Sequence, residues 1–265
     1  MSALLGRVGT VAANTFKEAV RNRAFIGMML GALALILLSF VLGELVVFDQ
    51  RRRMVQDFGL FFISVAGVAI ALVVGTLLIY KELERKTVYS ILSKPLRRWE
   101  YLIGKYAGML LIQAVAVVAM SGAWALVLWS KEVAFRWELV QAVLLIFGQL
   151  AVVTAVALFF SSFSTPILSG IFTLAVYAIG REIPFIQELM RADKGLFVSF
   201  PEARPVADAV VAIFPDLTLF DITREILLEV AVPWSYVAQS LGYGLAYVVV
   251  LLVLGAAIFQ RKDFV

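Results

Sequence analysis

Residues 137–161 read WELVQAVLLIFGQLAVVTAVALFFS, a run of 25 residues whose only ionisable group is Glu138, at its second position. One helical crossing of a bilayer's hydrocarbon needs roughly 20 mostly apolar residues. Such a run cannot be an amphipathic surface helix, because it has no polar face. Working outward from it, further apolar runs cover 24–45, 58–80, 102–129, 165–180 and 235–259, with essentially no Asp, Glu, Lys or Arg in their interiors. Of the 265 residues 62% are apolar and 16% charged, against about 45–50% and 25% in an ordinary soluble domain. The expected fold class is therefore an all-α integral membrane protein with six transmembrane helices. It forms one transmembrane domain over residues 1–265, with too little chain outside the spans for a soluble enzymatic domain.

The chain has no cysteine and no histidine, which removes disulfides, thiolate chemistry and the commonest metal ligand. Metal and cofactor sites are expected to be absent, and the net charge of +4 gives no reason to invoke nucleic acid. Residues 4–23 place Leu4, Leu5, Val8, Val11, Ala12, Phe16, Ala19 and Val20 on one helical face. Arg7, Asn14, Lys17, Glu18, Arg21 and Arg23 fall between them. This is the pattern of an amphipathic helix lying in the membrane interface with Lys17, Arg21 and Arg23 towards the headgroups; a solvated helix docked on a partner shows the same pattern. It lacks the form of a cleavable signal peptide and is expected to be retained.

Charge sets the expected orientation, since cytoplasmic loops carry the excess of Lys and Arg. Lys81, Arg85, Lys86, Lys94, Arg97, Arg98 and Lys105 cluster between the second and third spans, and the amino-terminal helix adds four more cations. Both termini are thus expected in the cytoplasm, with Arg51, Arg52 and Arg53 breaking the rule on the outer side. The outer segment 181–234 should fold as short helices, one between Pro205 and Pro215 with Val206, Val210 and Ile213 on a face, another over about 218–230. Within the spans, Gln113, Gln149, Thr154 and Thr173 read as interhelical hydrogen bonds. The stripes Gly27/Gly31 and Gly67/Ala71/Gly75 read as close helix packing, which a dimer interface would also use.

The most informative stretch is cytoplasmic, KELERKTVYSILSKP at 81–95, followed by LRRWEYLIGK at 96–105. Leu83, Thr87, Val88, Ile91 and Leu92 give a short helix an apolar stripe, and Pro95 ends it. Trp99 and Tyr101 then stand where aromatic belts mark a membrane surface. A stiff knob joined to two spans can dock in a groove and carry a push from a soluble motor to the bundle. A plain basic loop obeying the charge rule fits the same residues.

The run Glu82, Glu84, Arg85, Lys86, Thr87, Ile91, Leu92, Ser93, Lys94 and Pro95, with Arg98, Gly104 and Lys105 downstream, resembles the signature after the second span of ABC-2 type transporter permeases. It is most similar to the six-span permeases associated with multicopper-enzyme maturation. The amino-terminal helix, Phe214-Pro215-Asp216 and the Gln260–Asp263 tail extend the resemblance over nearly the whole chain, although Lys86 stands where many relatives have Gly. The resemblance implies a permease that pairs with a second copy or a homologous permease in a bacterial inner membrane. It also implies two copies of an ABC ATPase subunit bound at the segment 81–100, with ATP and Mg on that partner. Gly104-Lys105 is no phosphate-binding loop, because Tyr106 follows and Trp99 stands where the first Gly is needed. Rival readings are an ATP-driven mechanical transmitter acting on a periplasmic or envelope partner, a secondary transporter, and a membrane-embedded enzyme. The last two lack the ionisable cluster that they ordinarily need within the spans.

Overall fold

A computed structural model describes residues 2–44, 48–84, 97–192 and 201–261. Among these there are helices and turns but no strands. The helices are α1 (Ser2–Val20), α2 (Arg23–Glu44), α3 (Phe48–Glu84), α4 (Arg98–Ser130), α5 (Trp137–Ser161), α6 (Pro166–Arg191), α7 (Arg204–Ile213), α8 (Thr223–Leu227) and α9 (Trp234–Arg261). Six of them, α2 to α6 and α9, are long and apolar enough to cross a membrane. In hydrocarbon every backbone N–H and C=O must be satisfied within the segment, which is why apolar runs of this length become helices.

The charge-poor run at 137–161 becomes α5, the most deeply buried of the six, while α9 is the least buried. Its neighbours reach it through small residues. A Cβ added at Gly67 of α3 would collide with the Leu150 side chain, and one at Gly75 would lie 2.6 Å from Ala157 Cβ. On the other side of α5, a Cβ at Gly148 would lie 2.5 Å from Leu241 of α9. Gln113 donates its amide to the Gly67 carbonyl at 3.1 Å and Ser161 donates to the Gly75 carbonyl at 3.2 Å, so the close approach also satisfies polar groups between helices. The expected packing stripe Gly67/Ala71/Gly75 is therefore real. Gly27 and Gly31 differ: they are exposed, and nothing lies within 4 Å of a Cβ placed there.

The intramembrane polar residues divide. Gln113 bridges helices as expected, and Gln149 accepts from Ser64 at 3.4 Å. Thr154 and Thr173 instead donate to their own helices, to the carbonyls of Leu150 and Ser169 at 2.7 Å and 2.6 Å. A hydroxyl four residues from a carbonyl of its own helix is already within reach and needs no second helix.

The fifth span does not stop at residue 180. Helix α6 runs on to Arg191 with Pro184 inside it. Proline has no N–H, so the carbonyl four residues back, that of Gly180, loses its helical partner. The Leu217 amide of the outer segment takes that place, donating to the Gly180 carbonyl at 3.0 Å. A Cβ at Gly180 would stand 2.5 Å from the Pro215 carbonyl oxygen, so glycine is what lets this strap lie against the helix. Asp216 completes the fastening: its amide donates to the Tyr243 hydroxyl of α9 at 2.8 Å and its carboxylate holds Thr218.

The segment expected on the outer side is also more broken than its periodicity suggests. In place of one helix over 218–230 there is a 3-10 turn at Thr218–Phe220 and then the short α8. The Asp221 carboxylate accepts the Thr223 amide and an Arg181 N–H at 2.8 Å, and its fixed position interrupts the helix. Burial raises the Asp221 pKa, but the Thr223 hydrogen bonds and the Arg181 guanidinium outweigh it and hold the carboxyl below its ordinary value. Phe220, Ile222 and Ile226 are buried, whereas Val206 and Ile213, expected on the packing face of α7, are exposed.

Two outcomes are expected. Pro184→Ala restores an N–H that competes for the Gly180 carbonyl, so the Leu217 amide should exchange hydrogen faster than in the parent; unchanged exchange would contradict the strap. Gly67→Leu should lower thermal stability by about 1–3 kcal/mol through overpacking, while Gly31→Leu leaves the stability of the single chain unchanged. A thermal melt of both variants decides this.

Candidate coupling site

At one end of the bundle α1 packs along the first turns of α4, with a smaller contact to α3. Helix α1 does not lie with its apolar stripe free. Val8, Val11, Ala12, Thr15 and Ala19 turn towards the bundle, and two glycines one turn apart on α4 receive them. A Cβ at Gly104 would stand 2.7 Å from Val11 Cβ, and one at Gly108 would stand 2.6 Å from Thr15 Cβ. Phe16 is half-buried, while Lys17, Arg21 and Arg23 are exposed. The amphipathic helix expected from the sequence is thus present, but its apolar face packs on α4 of its own chain. Asn22 marks the corner, accepting the Ala24 amide at 3.0 Å as α2 begins, as N-terminal capping residues do.

Two charged side chains lie inside this contact. Glu100 is 3% exposed and accepts the Arg97 amide at 3.2 Å, with the Arg7 guanidinium 3.6 Å away. Lys105 is 1% exposed, its ammonium 5.9 Å from the centre of the Tyr101 ring. A buried charge is costly unless it is paired, so α1, which brings Arg7, is part of what makes the start of α4 tenable. Lys105 and Tyr101 thereby differ from their sequence reading as a loop cation and a belt aromatic: Tyr101 is buried in this contact. Glu100 went unnoticed in the sequence. The available signal was the spacing Glu100, Gly104, Gly108, which puts a carboxylate and two small residues on one helical face.

The helix then locks to the hub. Tyr106 donates its hydroxyl to the Ala151 carbonyl of α5 at 3.1 Å. On the other flank, Gly75 and Ser161 tie the coupling-side half of α3 to α5. Of the expected coupling residues, Glu82, Leu83 and Glu84 form the last turn of α3. Arg85, Lys86, Thr87, Ile91, Leu92, Ser93, Lys94 and Pro95 lie outside the described residues. What the structure does place are the two roots of that segment, α3 and α4, each bonded to α5.

Among the described residues no group of His, Cys, Asp or Glu has the arrangement of a metal site. The six membrane-length helices define a multi-pass membrane protein. The sequence model of the family described as ABC-2 family transporter protein matches residues 9–264, and the chain belongs to that family. It is a membrane permease component of an ABC transporter, a class that works with an ABC ATPase subunit and typically dimerises. No curated protein matches the chain.

The site yields a direct expectation. Gly104→Leu drives a side chain into Val11 and should undock α1, so limited proteolysis should cut within residues 2–20 of the variant faster than in the parent. Equal cleavage rates would show that α1 is held by something other than this contact.

Proposed function

We propose that this chain is the membrane subunit through which a separate ATPase performs export or conformational work across a bacterial inner membrane. The observation that carries this reading is the family match over almost the whole chain. The architecture supports it: α3 continues beyond Tyr80 through the charged turn Lys81–Glu84, about 6 Å of rigid helix, and α4 re-enters at Arg98. A force applied to the intervening segment acts on both roots at once, and both are tied to α5. The residues proposed to receive the ATPase are Glu82 to Thr87 and Ile91 to Pro95. Nucleotide and magnesium belong to the partner, two copies of which would serve a permease pair.

The exposed face of α2 around Gly27 and Gly31, which packs against none of the described residues, suits the second permease copy. The orientation proposed from the cations puts α1 and the coupling segment in the cytoplasm. The segment between α6 and α9 then faces outward. Its fastening by Gly180 and Tyr243 favours a second reading within the same class. A cap bonded to two spans moves when they move, which suits an output surface acting on an envelope partner.

Leu92→Asp tests the coupling role, because a charge placed on a docking stripe must be buried unpaired or avoid the site. The variant should reach the membrane at near-normal levels yet lose copurification with the ATPase. Glu84→Ala should be milder, since an exposed ion pair is worth about 0–1 kcal/mol. Full partner binding by Leu92→Asp would reduce the segment to a basic loop. For orientation, an alkaline phosphatase fusion at Lys194 should be active and one at Lys86 inactive; the reverse pattern would invert the topology.

A further inference from the structure

Arg52 and Arg53 are arginines where the charge rule disfavours them, at the end of the bundle opposite α1. Neither makes an ion pair with a described residue. Together with Gln56 they line a cavity of about 610 Å³, closed by Ala134 and Arg136 of the α4–α5 connection and by Glu229 after α8. Two separate parts of the chain, the start of α3 and the α4–α5 connection, therefore bring three guanidinium groups to one hollow. With Glu229 as the only carboxylate among the lining residues, its net charge is three minus one, or +2. Arg136 also holds Glu138 at 3.4 Å. Among the described residues Glu229, with φ of 57°, and Glu132, with φ of 56°, are the non-glycine residues with left-handed backbones; Glu229 lines the hollow and Glu132 precedes Val133, which also does.

Val133 lines this cavity and a second one as well. The second is an apolar groove of about 480 Å³ between α4 and α5, running from Ser121 and Gly122 to Trp129 on α4 and walled by Leu139 and Val143 on α5. Its length along α4, eight residues from Ser121 to Trp129, is about 12 Å, close to the depth of one leaflet's hydrocarbon, about 15 Å. A Cβ at Gly122 would meet nothing within 4 Å, so the floor is open, and the buried Ser121 hydroxyl has no hydrogen-bond partner. At the groove's mouth Trp129, Phe135 and Trp137 are exposed, the last two edge-to-face at 5.5 Å. Exposed aromatics of this kind sit at headgroup depth.

We propose that the two cavities form one binding site for an anionic phospholipid of the leaflet opposite α1, the outer leaflet in the orientation proposed above. The phosphate-bearing headgroup occupies the hollow of Arg52, Arg53 and Arg136, and an acyl chain lies in the groove between α4 and α5. An apolar slot ending in a positive hollow at the level of an aromatic belt matches such a molecule in shape and charge. It also accounts for arginines on a side where they do not serve topology. Lipid bound here would touch α3, α4, α5 and the segment after α8 together, and so would favour one arrangement of the transport helices over another.

The test is native mass spectrometry of the full chain in detergent, titrated with phosphatidylglycerol or with phosphatidylcholine. It needs neither the ATPase nor a known orientation, so it can fail while the coupling role stands. Phosphatidylglycerol should be retained in preference to phosphatidylcholine. Arg52→Gln, Arg53→Gln and Arg136→Gln together should weaken its binding at least tenfold, at roughly fivefold for each arginine. Gly122→Phe, which fills the groove and leaves the arginines, should also weaken it, and Arg204→Gln on α7 should not. The proposal is overturned if both lipids bind alike or if the triple variant binds as the parent does. It is equally overturned if glycerol phosphate without acyl chains competes as well as the whole lipid, or if the triple variant loses an acidic protein partner while keeping the lipid.

Discussion

Helix α5 can sit at the centre of the bundle only because its neighbours are permitted to come close. Hydrocarbon offers no hydrophobic gain for burying one apolar helix against another, so association in lipid depends on contact area and on hydrogen bonds between backbones brought near. Glycine permits the close approach where α3 meets α5, at Gly67 and Gly75, and where α9 meets it, at Gly148 and Gly244. The carbonyls of Gly67 and Gly75 are then reachable by Gln113 and Ser161. The same device recurs at the edge of the bundle, where Gly104 and Gly108 admit α1 and Gly180 admits the strap at 215–217. At Gly67, Gly75 and Gly180 the glycine's own carbonyl also gains a partner.

That pattern explains how the two ends of the molecule are joined. On one end, the roots of the segment 85–96 are bonded to α5 through Tyr106 and Ser161. On the other, the outer segment is bonded to α6 through Leu217 and to α9 through Tyr243, while Gln141 of α5 donates to the Val232 carbonyl at 3.0 Å. A displacement of α5 relative to α4 would thus reach the segment between α6 and α9 through hydrogen bonds. The permease role proposed here uses that connection, and the family supplies the class of engine.

The spans were legible in the sequence because length and apolarity suffice to identify a crossing, and the runs at 137–161 and 24–45 differ from α5 and α2 by at most a residue at either end. The end of α6 was not legible: the interruption at Pro184 is made tolerable by a donor 37 residues beyond Gly180, the Leu217 amide. Nor was the direction of the stripe on α1, since amphipathicity says that a face is covered and not by what. Gly27/Gly31 and Gly67/Ala71/Gly75 have the same four-residue spacing, yet among the described residues only the second stripe is packed. The candidate coupling segment was legible as a motif, with its two roots on α5 visible only in three dimensions. Lys105 reads as a loop charge and Glu100 carries no signal of its own, because charge and burial are normally opposed; Arg7 beside Glu100 and the Tyr101 ring near Lys105 help to reconcile them.

The central claim is that the segment between α3 and α4 carries force from an ATPase. The chain has no cysteine, so Leu92→Cys introduces its only thiol, and a short bifunctional cross-linker anchored there reports what that position touches. The account predicts a cross-link to the ATPase subunit whose yield differs between the nucleotide-free complex and one trapped with ATP. Attachment to the ATPase with a yield indifferent to nucleotide, or no attachment to any ATPase in an active complex, would contradict it.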